Sequence, residues 1–235
     1  MRGRYARRVL NWRSGGVGRV LLPIAALPLL LTGCGGESDA TSTLTEEQLE
    51  SVLVTLDDLP EGFTPVSTGS DGGATGGSDA RASLNDAECL AGLDLANDED
   101  APKAEAGFNR ANVLTITSTA TSYPNDDVAT SFDETADALA SCADFEVTAD
   151  NGSGVKGTLT SDDTPASKDV DAQITVHLTG TQQPTNLPVE ITFGFARIGN
   201  DVVSVSAEGL GGPSAESFQD LMRATTDRLV AAREG

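Results

Sequence analysis

Very few side chains in this chain could do covalent chemistry, so their types and spacing are the natural starting point. There are three cysteines, Cys34, Cys89 and Cys142, and a single histidine, His177. A Ser-His-Asp arrangement needs a positioned imidazole. His177 lies in "AQITVHLTG", where Thr175, His177 and Thr179 alternate with Ile174, Val176 and Leu178. That pattern places it on the polar face of a strand, exposed or half-exposed. No Gly-x-Ser-x-Gly elbow occurs. Zinc wants several Cys or His, which one histidine and two spare cysteines do not supply. Hard oxygens are plentiful in "NDED" (Asn97 to Asp100), "NDD" (Asn125 to Asp127) and "SDD", yet EF-hand spacing is absent. Acidic clusters of this kind are ordinarily solvated faces. Neither a metal nor another cofactor is therefore expected, and no enzymatic role.

The cysteine with a distinctive context is Cys34. Six arginines and no acidic residue occur in residues 1–33, and Val20 to Leu31 is an apolar run of 12 residues broken by Pro23 and Pro28. A bilayer-spanning helix needs about 20 apolar residues, so the pattern reads as an export signal. "Leu31-Thr32-Gly33-Cys34" resembles the lipobox of bacterial lipoproteins. Small residues let the extended segment enter a signal peptidase. The Cys34 thiol then takes a diacylglycerol through a thioether, and cleavage frees its amine for a further acyl chain. Two or three chains at about 0.8 kcal/mol per CH₂ anchor firmly where one does not. Arg7-Arg8 also admits the twin-arginine route, although Val9-Leu10-Asn11 fits it loosely.

With Cys34 lipidated, Cys89 and Cys142 remain. In an exported chain an even pair argues for one disulfide, the alternative being two buried thiols. A loop of that length, once closed, would stabilise by about 4 kcal/mol in the chain-entropy model. All 36 acidic residues follow Cys34 against nine basic ones, a mature net charge of −27. Such a surface repels nucleic acid and anionic headgroups, so the expected membrane partner is reached through lipid alone.

These residues need elements to position them. A tether, residues 34–43, leads to "TEEQLESVL", a helix with Thr45 as N-cap and Gln48 at the capping-box position. "TLDDLPEGFTPV" predicts a short turn or helix stopped by Pro60 and Gly62, then a strand near Phe63 to Ser67. Ser67 to Ala80 is a Gly/Ser-rich loop, and "NDAECLAGLD" a short helix carrying Cys89. "NVLTITSTATSY" is a β-branched strand. Val128, Phe132, Thr135 or Ala136, Leu139 and Cys142 share one helix face. Strands follow in "DFEVTAD" and "VKGTLTS" about Asn151-Gly152, in "AQITVHLTG", and in "VEITFGFARIGNDVVSVSAE" with its turn near Gly199-Asn200. Phe218, Leu221, Met222, Thr225 and Leu229 mark an amphipathic C-terminal helix. The expectation is one α+β domain, residues 44–235: an antiparallel sheet with helices packed on one face.

The order of these features resembles a family. "TLDDLPEGFTP" after Leu53, a Cys-bearing turn, a strand ending "SYPNDDVATSF" and a helix closing on Cys142 are similar to actinobacterial cell-envelope lipoproteins related to the extracellular sensor domain of PknH-type serine/threonine kinases. The resemblance implies an α+β domain outside the membrane that binds an unknown ligand or envelope protein, with Cys89 and Cys142 as its disulfide. Members often have a second disulfide, which this chain lacks the cysteines to form. A kinase segment is also missing, so signalling across the membrane is not expected. A carrier of an apolar envelope lipid, suggested by the Val, Ile and Phe strand faces, is the alternative, and a cell-wall hydrolase a weaker one.

Overall fold

The computed structural model describes residues 43–67, 101–148 and 154–235. The expected signal (1–33), Cys34, most of the tether, the Gly/Ser-rich loop, Cys89 with its helix, Asn97 to Asp100 and the Asn151-Gly152 turn lie outside the described residues.

Helix α1 (Glu46–Glu50) starts where the sequence predicts. Thr45 Oγ1 accepts from Gln48 N–H while Gln48 Oε1 accepts from Thr45 N–H, closing the capping box. A 3₁₀ turn (Leu56–Asp58) leads to β1 (Thr64–Val66). Next come β2 (Lys103–Arg110), β3 (Leu114–Ser122) and helix α2 (Asp127–Ser141). Strands β4 (Asp144–Thr148), β5 (Gly154–Asp162), β6 (Ala172–Gln183), β7 (Leu187–Ile198) and β8 (Asp201–Gly209) follow, then helix α3 (Ala215–Glu234).

Among the described residues the strands form one sheet in the order β1-β2-β3-β8-β7-β6-β5-β4, and every pairing is antiparallel. The chain leaves the sheet after β3, passes through α2, and re-enters at the far edge. It then meanders back until β8 pairs with β3. Both edges are blunted: Pro65 in β1 has no N–H to offer, and β4 carries exposed Asp144 and Glu146. The expected α+β architecture is present.

Its layering differs from the expectation. Successive residues of β7 serve opposite faces. Ile191, Phe193 and Phe195 join Ile174, Val176, Leu178 and Leu159 under Val128, Phe132 and Leu139 of α2. Ala196, with Val203, Val205, Ala207 and Ile116, joins Leu49 of α1 and Phe218, Met222 and Leu229 of α3. Helices therefore cover both faces of the sheet rather than one. The sequence shows an apolar stripe on each helix but nothing that tells it which face to cover, and Ala and Gly on β7 mask how completely its second face is buried.

Strand β2 was not foreseen. Its Ala, Gly and Asn residues are poor strand formers, and eight register pairs with β3 hold it in place.

Gly194 marks where α3 lies closest to the sheet. A Cβ there would sit 2.4 Å from Met222 Sδ and 2.9 Å from Phe218 Cε1. Gly194→Val should cost about 1–3 kcal/mol through overpacking, lowering the urea midpoint at unchanged m. An unchanged midpoint would show that α3 does not seat on that face.

Candidate functional site

Three distant segments meet at one end of the sheet: the 3₁₀ turn, the β2–β3 hairpin, and the junction of β8 with α3. They enclose a cleft of about 90 Å³ whose walls include Leu59, Pro60, Phe63, Leu114 and Leu221. Among the described residues its one cation without an ion pair is Arg110, the last residue of β2. The Arg110 guanidinium carbon stands 5.1 Å from the Phe63 ring centroid, within cation–π range. Nη2 donates to the Gly211 carbonyl at 3.2 Å, and the aliphatic stem runs beside Gly62, whose φ of +97° keeps that turn open. Ala111 and Asn112, at φ 54° and 57°, turn the chain immediately after Arg110. A non-glycine residue such as Ala111 in this region costs about 1–2 kcal/mol. Val113 and Leu210, linked by the Leu210 N–H to Val113 carbonyl bond, form an exposed apolar rim nearby.

The outer wall is held by a charge clasp. Arg228 of α3 donates through Nη1 to the Leu53 carbonyl at 2.8 Å and through Nη2 to Asp58 Oδ1 at 2.6 Å. The other Asp58 oxygen accepts from Thr55 N–H and Oγ1. Burial works to raise the Asp58 pKa, but hydrogen bonds from Arg228 and Thr55 and the guanidinium charge outweigh it and hold the carboxyl below 3.8.

A second polar cluster sits at the opposite end. Asp201, fully buried, pairs with Arg233 at the end of α3. Its register partner Ser122 accepts from Leu44 N–H, tying down the start of the described chain. Desolvation raises the Asp201 pKa, and hydrogen bonds from Ser122 and Arg233 with the Arg233 charge only partly oppose it. Beside it, Asn200 donates to Asp126 Oδ1, so one acid of the "NDD" cluster serves as a structural acceptor. In the "SDD" cluster, Asp162 accepts from Thr164 and is held below its ordinary pKa.

His177 occupies the half-exposed strand position expected. Its Nδ1 is 3.0 Å from Thr192 Oγ1, its cross-strand neighbour, and Nε2 is 3.7 Å from Glu190. Cys142 caps α2, is buried, and is disulfide-bonded. Cys34 and Cys89, the other expected sites, lie outside the described residues. The Val, Ile and Phe strand faces that suggested a lipid carrier are filled by helix side chains. Arg110 was missed because "KAEAGFNR" carries no motif; the one signal available was a lone cation followed by a turn.

No protein-family model matches the chain, and no curated protein matches it either. Among solved structures it is similar to the extracellular domain of PknH from Mycobacterium tuberculosis, at 16% identity and a TM-score of 0.49, over 81% of this chain and 99% of that one.

Asp58→Asn should destabilise the fold by about 1–3 kcal/mol at neutral pH, the range for hydrogen bonds to charged groups. Because the folded pKa is depressed, the Asp58 contribution is complete above the unfolded value near 3.8 and is lost as pH falls through the folded one. Urea denaturation of both proteins from pH 7 to pH 2.5 should show the gap closing only below pH 4. A gap independent of pH would assign the loss to packing.

Proposed function

We propose that the mature chain is a bacterial lipoprotein, held to the membrane by acyl chains on Cys34, whose α+β domain is a non-catalytic, sensor-like binding module on the extracytoplasmic side. The observation that carries the binding role is the Arg110 cleft, a concave apolar site with one convergent cation. Its placement supports the same reading. The described chain begins at the Ser122 end of β3, whereas the cleft is at the Leu114 end. Eight residues at about 3.3 Å each separate the two by roughly 26 Å. The cleft thus lies at the pole opposite Leu44, where an aqueous ligand or an envelope protein would reach it. The disulfide at Cys142 fits an oxidising compartment, and this reading assigns Cys89 as its partner.

Cys34→Ala is the direct test of the anchor: the protein should move from the membrane to the soluble fraction. A mutant still bound to membranes would contradict lipidation at this residue. The denatured mass of the released chain should be two hydrogens below that of the reduced chain, with Cys89 and Cys142 joined in its non-reduced peptide map. Robust hydrolysis of wall material that vanished on changing one acidic pair would overturn the non-catalytic assignment.

A further inference from the structure

The charge pattern around the cleft narrows what it binds. Six of the eight described Lys and Arg side chains ion-pair with a carboxylate. Among the described residues the exceptions are Lys103, exposed at the other end of β2, and Arg110. In a mature chain with 36 acids and nine bases, a cation that meets only an aromatic ring and a neutral carbonyl is a matter of placement, not of scarce partners. Its bond to the Gly211 carbonyl is 3.2 Å, longer than the 2.7–2.9 Å typical of a charge-assisted pair. A ligand carboxylate would replace it with a stronger contact, and the guanidinium fork donates to both oxygens at once.

The apolar half of the ligand is limited by volume. A dry cavity of about 150 Å³ accommodates benzene. By that scale a cleft of about 90 Å³ takes roughly four carbon atoms. Phosphate fits less well. A dianion would face the Asp58 carboxylate in the wall and the −27 background with twice the charge of a carboxylate.

Building on the cleft as a binding site, we infer that its ligand is a monocarboxylate carrying a short, branched apolar group of about four carbons. The carboxylate pairs with Arg110, and the apolar group lies between Phe63 and Leu221. The same chemistry occurs in a free acid and in a chain terminus ending in leucine, and the probes below separate the two.

The test is a saturation-transfer NMR titration of the lipidated protein in nanodiscs against empty nanodiscs. Its probes are 3-methylbutanoate, the neutral 3-methylbutanamide, and N-acetyl-glycyl-leucine. Wild type is compared with Arg110→Met, Arg110→Lys, Lys103→Met and Ser217→Trp. The last places an indole at the exposed Ser217 of the cleft mouth. One of the two acids should bind at least tenfold tighter than the amide, and the tighter acid identifies the source. Arg110→Met should erase that preference, Arg110→Lys should retain part of it without the fork, and Lys103→Met should leave it intact. Ser217→Trp should abolish binding. Equal affinity for acid and amide, with Arg110→Met harmless and Ser217→Trp still blocking, would overturn the carboxylate while leaving the cleft as a site. Indifference to Ser217→Trp would overturn both.

Discussion

The structure depends on one strand serving two cores. In β7, Phe193 and Phe195 point into the layer under α2, while Gly194 and Ala196 receive α3. A sheet buried on both faces near its middle needs large residues where the helix stands off and almost none where it approaches. Gly194 meets the second need, with Met222 and Phe218 seated above it. From this constraint follow the position of α3 and the reach of its side chains to either end of the sheet.

Helix α3 then acts as a bar fastened at several points. Arg233 reaches buried Asp201 beside the segment where the described chain begins, and Arg228 reaches Asp58 and the Leu53 carbonyl on the 3₁₀ turn. Such partly buried pairs add modest net stability, but breaking one leaves an uncompensated charge, which makes them effective at specifying position. The two respond oppositely to acid. Asp58, with its depressed pKa, loses its contribution as pH falls through the folded value. Asp201, with its raised pKa, takes up a proton in the folded state first, so folding gains relative stability as pH falls toward 3.8. The cleft belongs to the same frame, since its walls come from the turn that Arg228 holds, the hairpin that presents Arg110, and the first turns of α3.

Local elements were legible in the sequence wherever a periodic pattern met a cap or a turn. Thr45 and Gln48 start α1, Val128 to Leu139 trace the buried face of α2, and Ile174, Val176 and Leu178 alternate as β6 requires. Two things were not legible, for physical reasons. Strand β2 exists through its pairing with β3 and not through the propensity of its own residues. The site is assembled from segments some fifty to one hundred residues apart, so Arg110 carries no local signature of the site. "TLDDLPEGFTP" stood out in the sequence, and it supplies Asp58, Leu59, Pro60 and Phe63 to the cleft, yet only the fold brings Arg110 to it.

Arg110, at the end of the sheet opposite Leu44, is inferred to await a carboxylate. A crystal structure of the protein soaked with 3-methylbutanoate tests this most directly. Density should appear in the cleft with both carboxylate oxygens on the Arg110 guanidinium, the Gly211 carbonyl released, and the branched group against Phe63 and Leu221. An Arg110 side chain still bonded to Gly211 beside a cleft closed by its own walls would contradict the inference.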